Sequence, residues 1–162
     1  MALSNFTKAK IFGGEFSFTA RPEPVAGDLR MAWGISILIA SLSYSRGKKA
    51  SFPKLQLLAH SVRLPEGRDD IDWLLAGTLT SREVSMRVEP WLNRAVSFAY
   101  AMGLVSVDRG KSVALTAKGL QVSEQLKAKA EIMPAEQAFL RRVTPRLTDK
   151  IVEKIWRMET LL

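Results

Sequence analysis

The sequence predicts a mostly helical protein with one small β-hairpin. Apolar residues recur at helical spacing in most segments between residues 28 and 162. In "LVSVDRGKSVALT" (residues 104–116), two short runs rich in β-branched residues instead flank the turn Asp108-Arg109-Gly110. That arrangement is typical of two antiparallel strands joined by a tight turn.

The first two predicted helices are separated by a polar, basic break. The first begins near Asp28, which can cap it, and runs to about Tyr44. It is apolar on almost every side, so it belongs in a core or an interface. After the break at residues 45–51, Ser51 caps a second helix, and Pro53 is tolerated in its first turn.

The middle of the chain is predicted to alternate short helices with extended pieces. "DDIDWLLAG" (residues 69–77) is typical of a short helix that ends at Gly77. "TSREVSMRV" (residues 80–88) has the alternation of a short strand or an extended segment. Pro90 suits the start of the next helix, which is predicted to run to about Met102.

After the hairpin, the C-terminal part of the chain is predicted to be helical. Thr116 caps one further helix, and residues 133–162 form two helical pieces separated near Pro145. The glycines, prolines and scattered aromatic residues before residue 27 predict an irregular arm. The predicted organisation is an arm at residues 1–26, a domain at 27–130 and a helical extension at 131–162.

The order of these elements is that of a winged helix-turn-helix core with an N-terminal arm and a C-terminal helical extension. The helix that starts at Pro90 takes the recognition-helix position, and residues 104–115 form the wing. The connection from residue 64 to residue 89 is longer than the few residues an ordinary DNA-binding winged helix uses. A hairpin that only closes the core is the alternative.

Few residues suit catalysis or metal binding. The chain has no cysteine, which excludes disulfides and thiolate metal sites. It has a single histidine, which makes a histidine-rich metal site unsuited to this sequence. His60 on its helix is more typical of a structural residue than of a general base. Asp69, Asp70 and Asp72, with Glu66 nearby, lack a calcium-loop spacing and are more typical of helix-capping acids. We therefore expect no enzyme, no cofactor and no metal site.

The charge balance favours an anionic partner. Lys and Arg number 24 against 16 Asp and Glu, which gives a net charge of +8. Asn93 and Arg94 are the main groups on the predicted recognition helix that can read base edges, so backbone contacts are favoured over sequence readout. A solvated face or a protein-docking surface is the alternative. The residues predicted to contact DNA are Arg94, Arg109, Lys111 and Lys118.

Apolar side chains of the tail and of the first helix predict contacts with a partner chain. An apolar stripe continues to the last residue of the sequence and must be buried against something. Folding back onto the chain's own domain is the alternative. The residues predicted to bind a partner are Trp33, Ile151, Ile155 and Trp156.

No targeting or membrane segment is predicted. The first ten residues, "MALSNFTKAK", lack the apolar run of a signal peptide. The longest apolar stretch, Met31 to Leu42, is too short to span a bilayer. A cytoplasmic protein without a membrane partner is expected.

Two long stretches resemble a known family. "GDLRMAWGISILIASLSYSRGKKASFPKLQLLAHSVRLPEGRDDI" looks like the opening of the middle components of bacterial ABC-three-component systems. "VEPWLNRAVSFAYAMGLVSVDRGKSVALTAKG" resembles their later winged-helix portion. The resemblance covers roughly residues 27 to 125 and consists of apolar patterns with a few polar markers.

The resemblance implies a non-catalytic accessory subunit. Such systems, of which Lamassu-type anti-phage defence is one setting, pair an SMC-like coiled-coil ATPase with an effector and a small middle protein. The middle protein would bridge ATPase and effector and assist non-specific binding of double-stranded DNA. A winged-helix transcription regulator and a scaffold with no nucleic-acid role are the alternatives.

Overall fold

A computed structural model describes residues 27–159 of the chain, with side chains described for residues 30–157. Over this range it has seven α-helices and one small three-stranded antiparallel sheet. The predicted arm at residues 1–26 lies outside the described residues. The elements are α1 (Gly27–Tyr44), β1 (Lys49–Ser51), α2 (Phe52–Val62), α3 (Pro65–Ala76), α4 (Pro90–Ala101), β2 (Val105–Asp108), β3 (Ser112–Leu115), α5 (Ala117–Ala128), α6 (Pro134–Val143) and α7 (Asp149–Glu159).

Two helix starts are fixed by the caps that the sequence predicts. The Ser51 hydroxyl oxygen accepts a hydrogen bond from the backbone N–H of Lys54 at 3.4 Å, and Pro53 lies in the first turn of α2. The Thr116 hydroxyl oxygen accepts from the backbone N–H of Gly119 at 3.1 Å, which starts α5. Each cap satisfies one of the N–H groups that a helix start leaves without a partner.

The region between α2 and α4 corrects one sequence prediction and, of the two alternatives for residues 80–88, contradicts the strand. The helix predicted at residues 69–77 begins earlier, at Pro65, because proline fits the first turn of a helix and does not break it there. Residues 80–88 form no strand. Their alternation instead buries Val84 and Met86 against the core, with no strand of the described sheet beside them to pair with.

The predicted hairpin is confirmed. β2 and β3 pair antiparallel with Val107 opposite Val113. Arg109 and Gly110 both have positive φ angles, +46° and +69°, and the backbone N–H of Lys111 donates to the Asp108 carbonyl oxygen at 2.8 Å. Positive φ at both central residues is the geometry of the tight turns that suit strand twist.

The third strand was not predicted. β1 has only three residues and lies in the basic break between α1 and α2. It pairs antiparallel with β3, with Ala50 opposite Val113, and gives the sheet order β1-β3-β2. The pairing places the hairpin beside the start of α2.

Two apolar clusters share α1 between them. One joins α1 and α2 to α6 and α7 through residues such as Ile37, Leu58 and Phe139. The other joins α1 and α2 to α4 and the sheet through residues such as Leu38 and Leu92. Burial on both sides explains why α1 is apolar almost all round. It also means that α6 and α7 pack into the same body as the hairpin.

Candidate functional site

The hairpin is held against the end of α4 by backbone hydrogen bonds. The Leu104 N–H donates to the Ala99 carbonyl oxygen at 2.8 Å, which turns the chain from α4 into β2. After β3, the Thr116 N–H donates to the Leu104 carbonyl oxygen at 3.0 Å, and the Thr116 hydroxyl donates to the Gly103 carbonyl oxygen at 2.6 Å. We call α4, the hairpin and the start of α5 the α4–hairpin unit.

A close backbone contact completes this unit. A Cβ atom built on Gly119 would lie 2.0 Å from the Leu104 carbonyl oxygen, a distance that no real side chain tolerates. Glycine therefore lets α5 approach the entry of the hairpin. The position of the hairpin relative to α4 follows from this contact and from the hydrogen bonds of Leu104 and Thr116.

The four residues predicted to bind DNA all lie on the α4–hairpin unit and are exposed. Arg109 and Lys111 flank Gly110 in the turn, and Arg94 lies on the outer side of α4. Lys118 has a structural contact as well, because its Nζ donates to the Met102 carbonyl oxygen at 2.9 Å, at the end of α4. A cation there also suits the negative end of the helix dipole.

The outer side of α4 carries few groups that are free to read bases. Asn93 Oδ1 accepts a hydrogen bond from Gln56 Nε2 at 3.2 Å, and the Ser97 hydroxyl donates to the Asn93 carbonyl oxygen at 3.0 Å. Arg94 is the one basic residue of α4. Direct readout needs several donors and acceptors that reach base edges, and this helix offers little beyond Arg94.

Aromatic and apolar side chains fill the remaining exposed area of this region. A groove of about 470 Å³ lies between α4 and the hairpin and is lined by Phe52, Val96, Tyr100 and Val107, among others. The large apolar side chains at the end of α4 are half exposed or more: Phe98 53%, Tyr100 61% and Met102 50%. Clustered exposure of this kind marks binding surfaces more often than isolated apolar residues do.

A second cleft, of about 650 Å³, lies between α1, the end of α2 and the start of α4. It brings together Trp33 and Arg94, for which the sequence predicts different roles, with Arg30 and Arg63. The rings of Trp33 and Trp91 meet with centroids 5.0 Å apart at an angle of 55°. We call this the tryptophan–arginine cleft.

Glu89 is buried at the base of this cleft, and both of its carboxylate oxygens accept hydrogen bonds from neighbouring side chains. Its side chain is 6% exposed. Arg63 Nη1 donates to its two carboxylate oxygens at 3.2 and 2.9 Å, and Trp91 Nε1 donates to Oε2 at 3.0 Å. His60 Nδ1 lies 3.0 Å from Oε1, and the Glu89 backbone N–H donates to Gln56 Oε1 at 2.8 Å. The carboxylate thus holds α2 to the start of α4.

Sequence reasoning missed Glu89 and Trp91 as members of a site. The contacts of Glu89 with His60 and Arg63 join positions 29 and 26 residues apart. Helical spacing relates residues three or four apart, so no local pattern indicates such contacts. A charged residue directly before a proline helix start is the one signal, and it is not specific.

The tail residues predicted to bind a partner lie mainly against the chain itself. Ile155 is fully buried in the core cluster of α1, α2 and α6. This part of α7 therefore folds back onto the chain's own domain, which was the alternative to partner binding. Ile151 and Trp156 pack against the same cluster and stay partly exposed. Ile155 is therefore not available to a partner in this structure, whereas Trp33 is partly exposed in the tryptophan–arginine cleft.

The acids at residues 69–72, predicted to cap a helix, do not cap α3, because α3 begins at Pro65 and these residues lie inside it. Asp72 has a structural contact instead. Arg142 Nε donates to Asp72 Oδ1 at 3.0 Å and joins α6 to α3, and this hydrogen bond raises the pKa of Arg142. Arg68 lies 3.8 Å from Glu136 in a second ion pair between the same helices. Within residues 30–157, no three acidic or histidine side chains meet in a group that could hold a metal ion.

None of the seven described helices is long and apolar enough to cross a membrane. Comparisons of the chain with family models, with curated proteins and with solved structures find no match.

Proposed function

We propose that the chain is a winged-helix adaptor subunit that acts without catalysis in a cytoplasmic complex with an SMC-like ATPase and an effector. In this role it joins the two partners and adds sequence-independent contacts to double-stranded DNA. The observation that carries the proposal is the α4–hairpin unit: a basic turn beside a helix whose C-terminal end exposes aromatic side chains. The unit offers charge and apolar area, and few groups that read bases.

The topology supports the winged-helix part of the proposal. α2 and α4 precede the hairpin, and β1, between α1 and α2, pairs with β3 as an outer strand. In such a module the helix before the hairpin and the hairpin turn face the ligand together. α3 and residues 77–89 lie between α2 and α4, so the tight helix-turn-helix connection is replaced by a longer one.

The charges support backbone contacts with DNA. Arg109 and Lys111 project from a turn in which neither has an ion pair with a described residue. Cations of this kind release counterions from DNA whatever its sequence, and this supplies most non-specific affinity. Lys49, which lies 3.6 Å from Asp108, is a further cation at the base of the turn.

The apolar groove and the exposed end of α4 support a role in assembly. A homodimeric regulator would place α4 in the major groove of DNA, where Phe98, Tyr100 and Met102 would have few partners. A protein partner would bury these side chains, and aromatic residues contribute strongly to interfaces. The adaptor role explains both the charge and the apolar area.

Co-expression tests the assembly part of this proposal. The chain is expressed with a candidate SMC-like ATPase and a candidate effector, and the complex is purified through a tag on the ATPase. The proposal predicts that the effector is recovered only when this chain is present. Recovery of the effector without it, or no recovery of this chain with the ATPase, would show that it is not the adaptor.

A Phe98→Ser/Met102→Ser variant adds a structural control to that experiment. Both side chains are at least half exposed, so the fold should be retained while the apolar area is lost. Leu64→Ser provides the matched control, since Leu64 is a comparably exposed apolar residue that lies outside the α4–hairpin unit. Assembly should weaken with the first variant and remain with the second.

A further inference from the structure

We infer that the tryptophan–arginine cleft binds an acidic segment of a partner protein, with carboxylates on Arg63 and Arg94 and an apolar side chain against Trp33. The inference rests on the adaptor function proposed above and adds the chemistry of the segment that the adaptor holds. It shares Arg94 with the proposed DNA contacts, whereas Arg109, Lys111 and Lys118 do not line this cleft.

Two guanidinium groups present positive charge in the cleft. Among the described residues that line it, Glu89 is the one acid, and it is almost completely buried with its oxygens already occupied by Arg63, Trp91 and His60. Arg94 has no ion pair with a described residue, and Arg63 gives Glu89 only one of its nitrogens, so both arginines can face a carboxylate of a ligand.

Arg63 has donors that are already oriented toward the cleft. Arg63 uses one nitrogen, Nη1, for both oxygens of Glu89, and about half of its side chain is exposed. A guanidinium carries five N–H donors in a fixed fork that matches a carboxylate. Because Glu89 holds Arg63 in one orientation, the remaining donors of Arg63 are positioned before a ligand arrives, which lowers the cost of binding.

Two tryptophan rings form the apolar floor of the cleft. Gly34 allows Trp91 to lie directly on α1: a Cβ at Gly34 would be 3.0 Å from Cε3 of Trp91. Trp91 is fixed further by its hydrogen bond to Glu89 and by its contact with Trp33. Tryptophan and arginine are the residues most enriched among those that dominate binding energy at protein interfaces.

The size of the cleft suits part of a peptide. Its volume of about 650 Å³ falls within the roughly 300–1,000 Å³ of typical ligand sites. It is open and bounded by helices on several sides. A short extended or helical segment with an acidic residue beside an apolar one would satisfy both the arginines and the tryptophans.

A peptide-display selection on the full chain tests the inference without a known partner. A random peptide library displayed on phage is selected on the parent protein, and the recovered clones are measured against two variants. Arg94→Glu changes the cleft. Arg109→Glu changes the net charge equally at the hairpin turn and is the matched control.

The inference predicts clones with more Asp and Glu than Lys and Arg. Their binding should fall by at least roughly tenfold in the cleft variant and by much less in the hairpin variant. Their binding should also change the tryptophan fluorescence of the parent, and Trp33→Phe should reduce that change. The melting curves of the variants confirm that each is folded.

Three results would overturn the inference. One is an equal loss of peptide binding in the cleft variant and in the hairpin variant, which would reflect net charge alone. Another is the absence of any clone that depends on the cleft. The third is loss of duplex DNA binding in the cleft variant without loss of peptide binding, which would make DNA the occupant. Because peptide binding is measured on this chain alone, its failure is separate from a failure to co-purify with the ATPase.

Discussion

Gly119 faces the carbonyl oxygen of Leu104 so closely that a Cβ atom on Gly119 would lie 2.0 Å from it. The same oxygen accepts a hydrogen bond from the Thr116 N–H at 3.0 Å. The start of α5 is therefore fixed on the residue that leads into β2. This contact sets the position of the hairpin relative to α4, on which the proposed DNA-binding surface depends.

Gly119→Ala should destabilise the protein. The alanine Cβ would have to displace backbone and not a flexible side chain, and overpacking of this kind costs about 1–3 kcal/mol, which exceeds the gain of about 1 kcal/mol from replacing a helical glycine. Urea unfolding measures the change. Gln121→Ala, at an exposed position of the same helix, should stay within about 0.5 kcal/mol of the parent. An equally stable Gly119→Ala variant would contradict the described contact.

Glu89 and Arg63 should be energetically coupled. Glu89→Ala leaves Arg63, His60 and Trp91 without their shared acceptor and should lower the free energy of unfolding by about 3 kcal/mol. Arg63→Ala should cost less, because that side chain is half exposed. In a double-mutant cycle, the double variant should be more stable than the sum of the single losses predicts. Additive losses would show that the pair does not interact.

Lys54 gives the protein a pH dependence at alkaline pH. Its Nζ donates to the Thr144 carbonyl oxygen at 3.0 Å, and burial lowers its pKa below 10.5, with Asp149 opposing the shift less strongly. Between the lowered pKa and 10.5 the unfolded chain binds more protons than the folded chain, so stability rises with pH through this window. The contribution of Lys54 is least favourable below its lowered pKa, where the buried amine is charged.

The comparison with Lys54→Met isolates this effect. Unfolding free energies of parent and variant are measured from neutral pH to 10.5. The parent should gain stability relative to the variant as the pH rises, because methionine cannot titrate. A difference that stays constant over this range, or one that moves in favour of the variant, would show that burial does not lower the pKa of Lys54.

Local signals account for the parts of the fold that were predicted from sequence. Ser51, Thr116 and Pro90 begin helices through contacts within a few residues, and the turn at Arg109 and Gly110 needs only its own backbone geometry. These features are determined by short segments, so they can be predicted from the local sequence. The mostly helical class and the hairpin follow from such signals.

The parts that were missed depend on distant pairing. β1 has three residues and forms only because β3 supplies a partner for Ala50. Residues 80–88 alternate like a strand, yet Val84 and Met86 pack on helices and pair with no strand. The tryptophan–arginine cleft needs Glu89 beside Arg63, a contact that no spacing rule indicates.

Ile155 tests whether α7 belongs to the core. Its side chain is fully buried against the chain's own helices, so Ile155→Ser should lower the free energy of unfolding by about 2–5 kcal/mol. Lys154→Ser, at the exposed neighbouring position, should change it little. Thermal melts of the full chain measure both. An unchanged melt for Ile155→Ser, with assembly lost, would instead assign the tail to a partner.

The proposed function requires that the α4–hairpin unit binds the sugar-phosphate backbone of DNA and does not read the base sequence. The salt dependence of duplex binding tests this most directly, on the chain alone and in its complex, with two duplexes of unrelated sequence. The variant is Arg94→Ala/Arg109→Ala/Lys111→Ala/Lys118→Ala. The matched control removes four exposed cations elsewhere: Arg82→Ala/Arg87→Ala/Lys150→Ala/Lys154→Ala.

The account predicts equal affinity for both duplexes and a salt slope that falls by about one for each phosphate contact removed. Lys118 should contribute least, because its Nζ is already bound to the Met102 carbonyl oxygen. The control variant should keep a steeper slope than the α4–hairpin variant. Undiminished binding by the α4–hairpin variant, alone and in the complex, or a strong preference for one duplex, would contradict the claim.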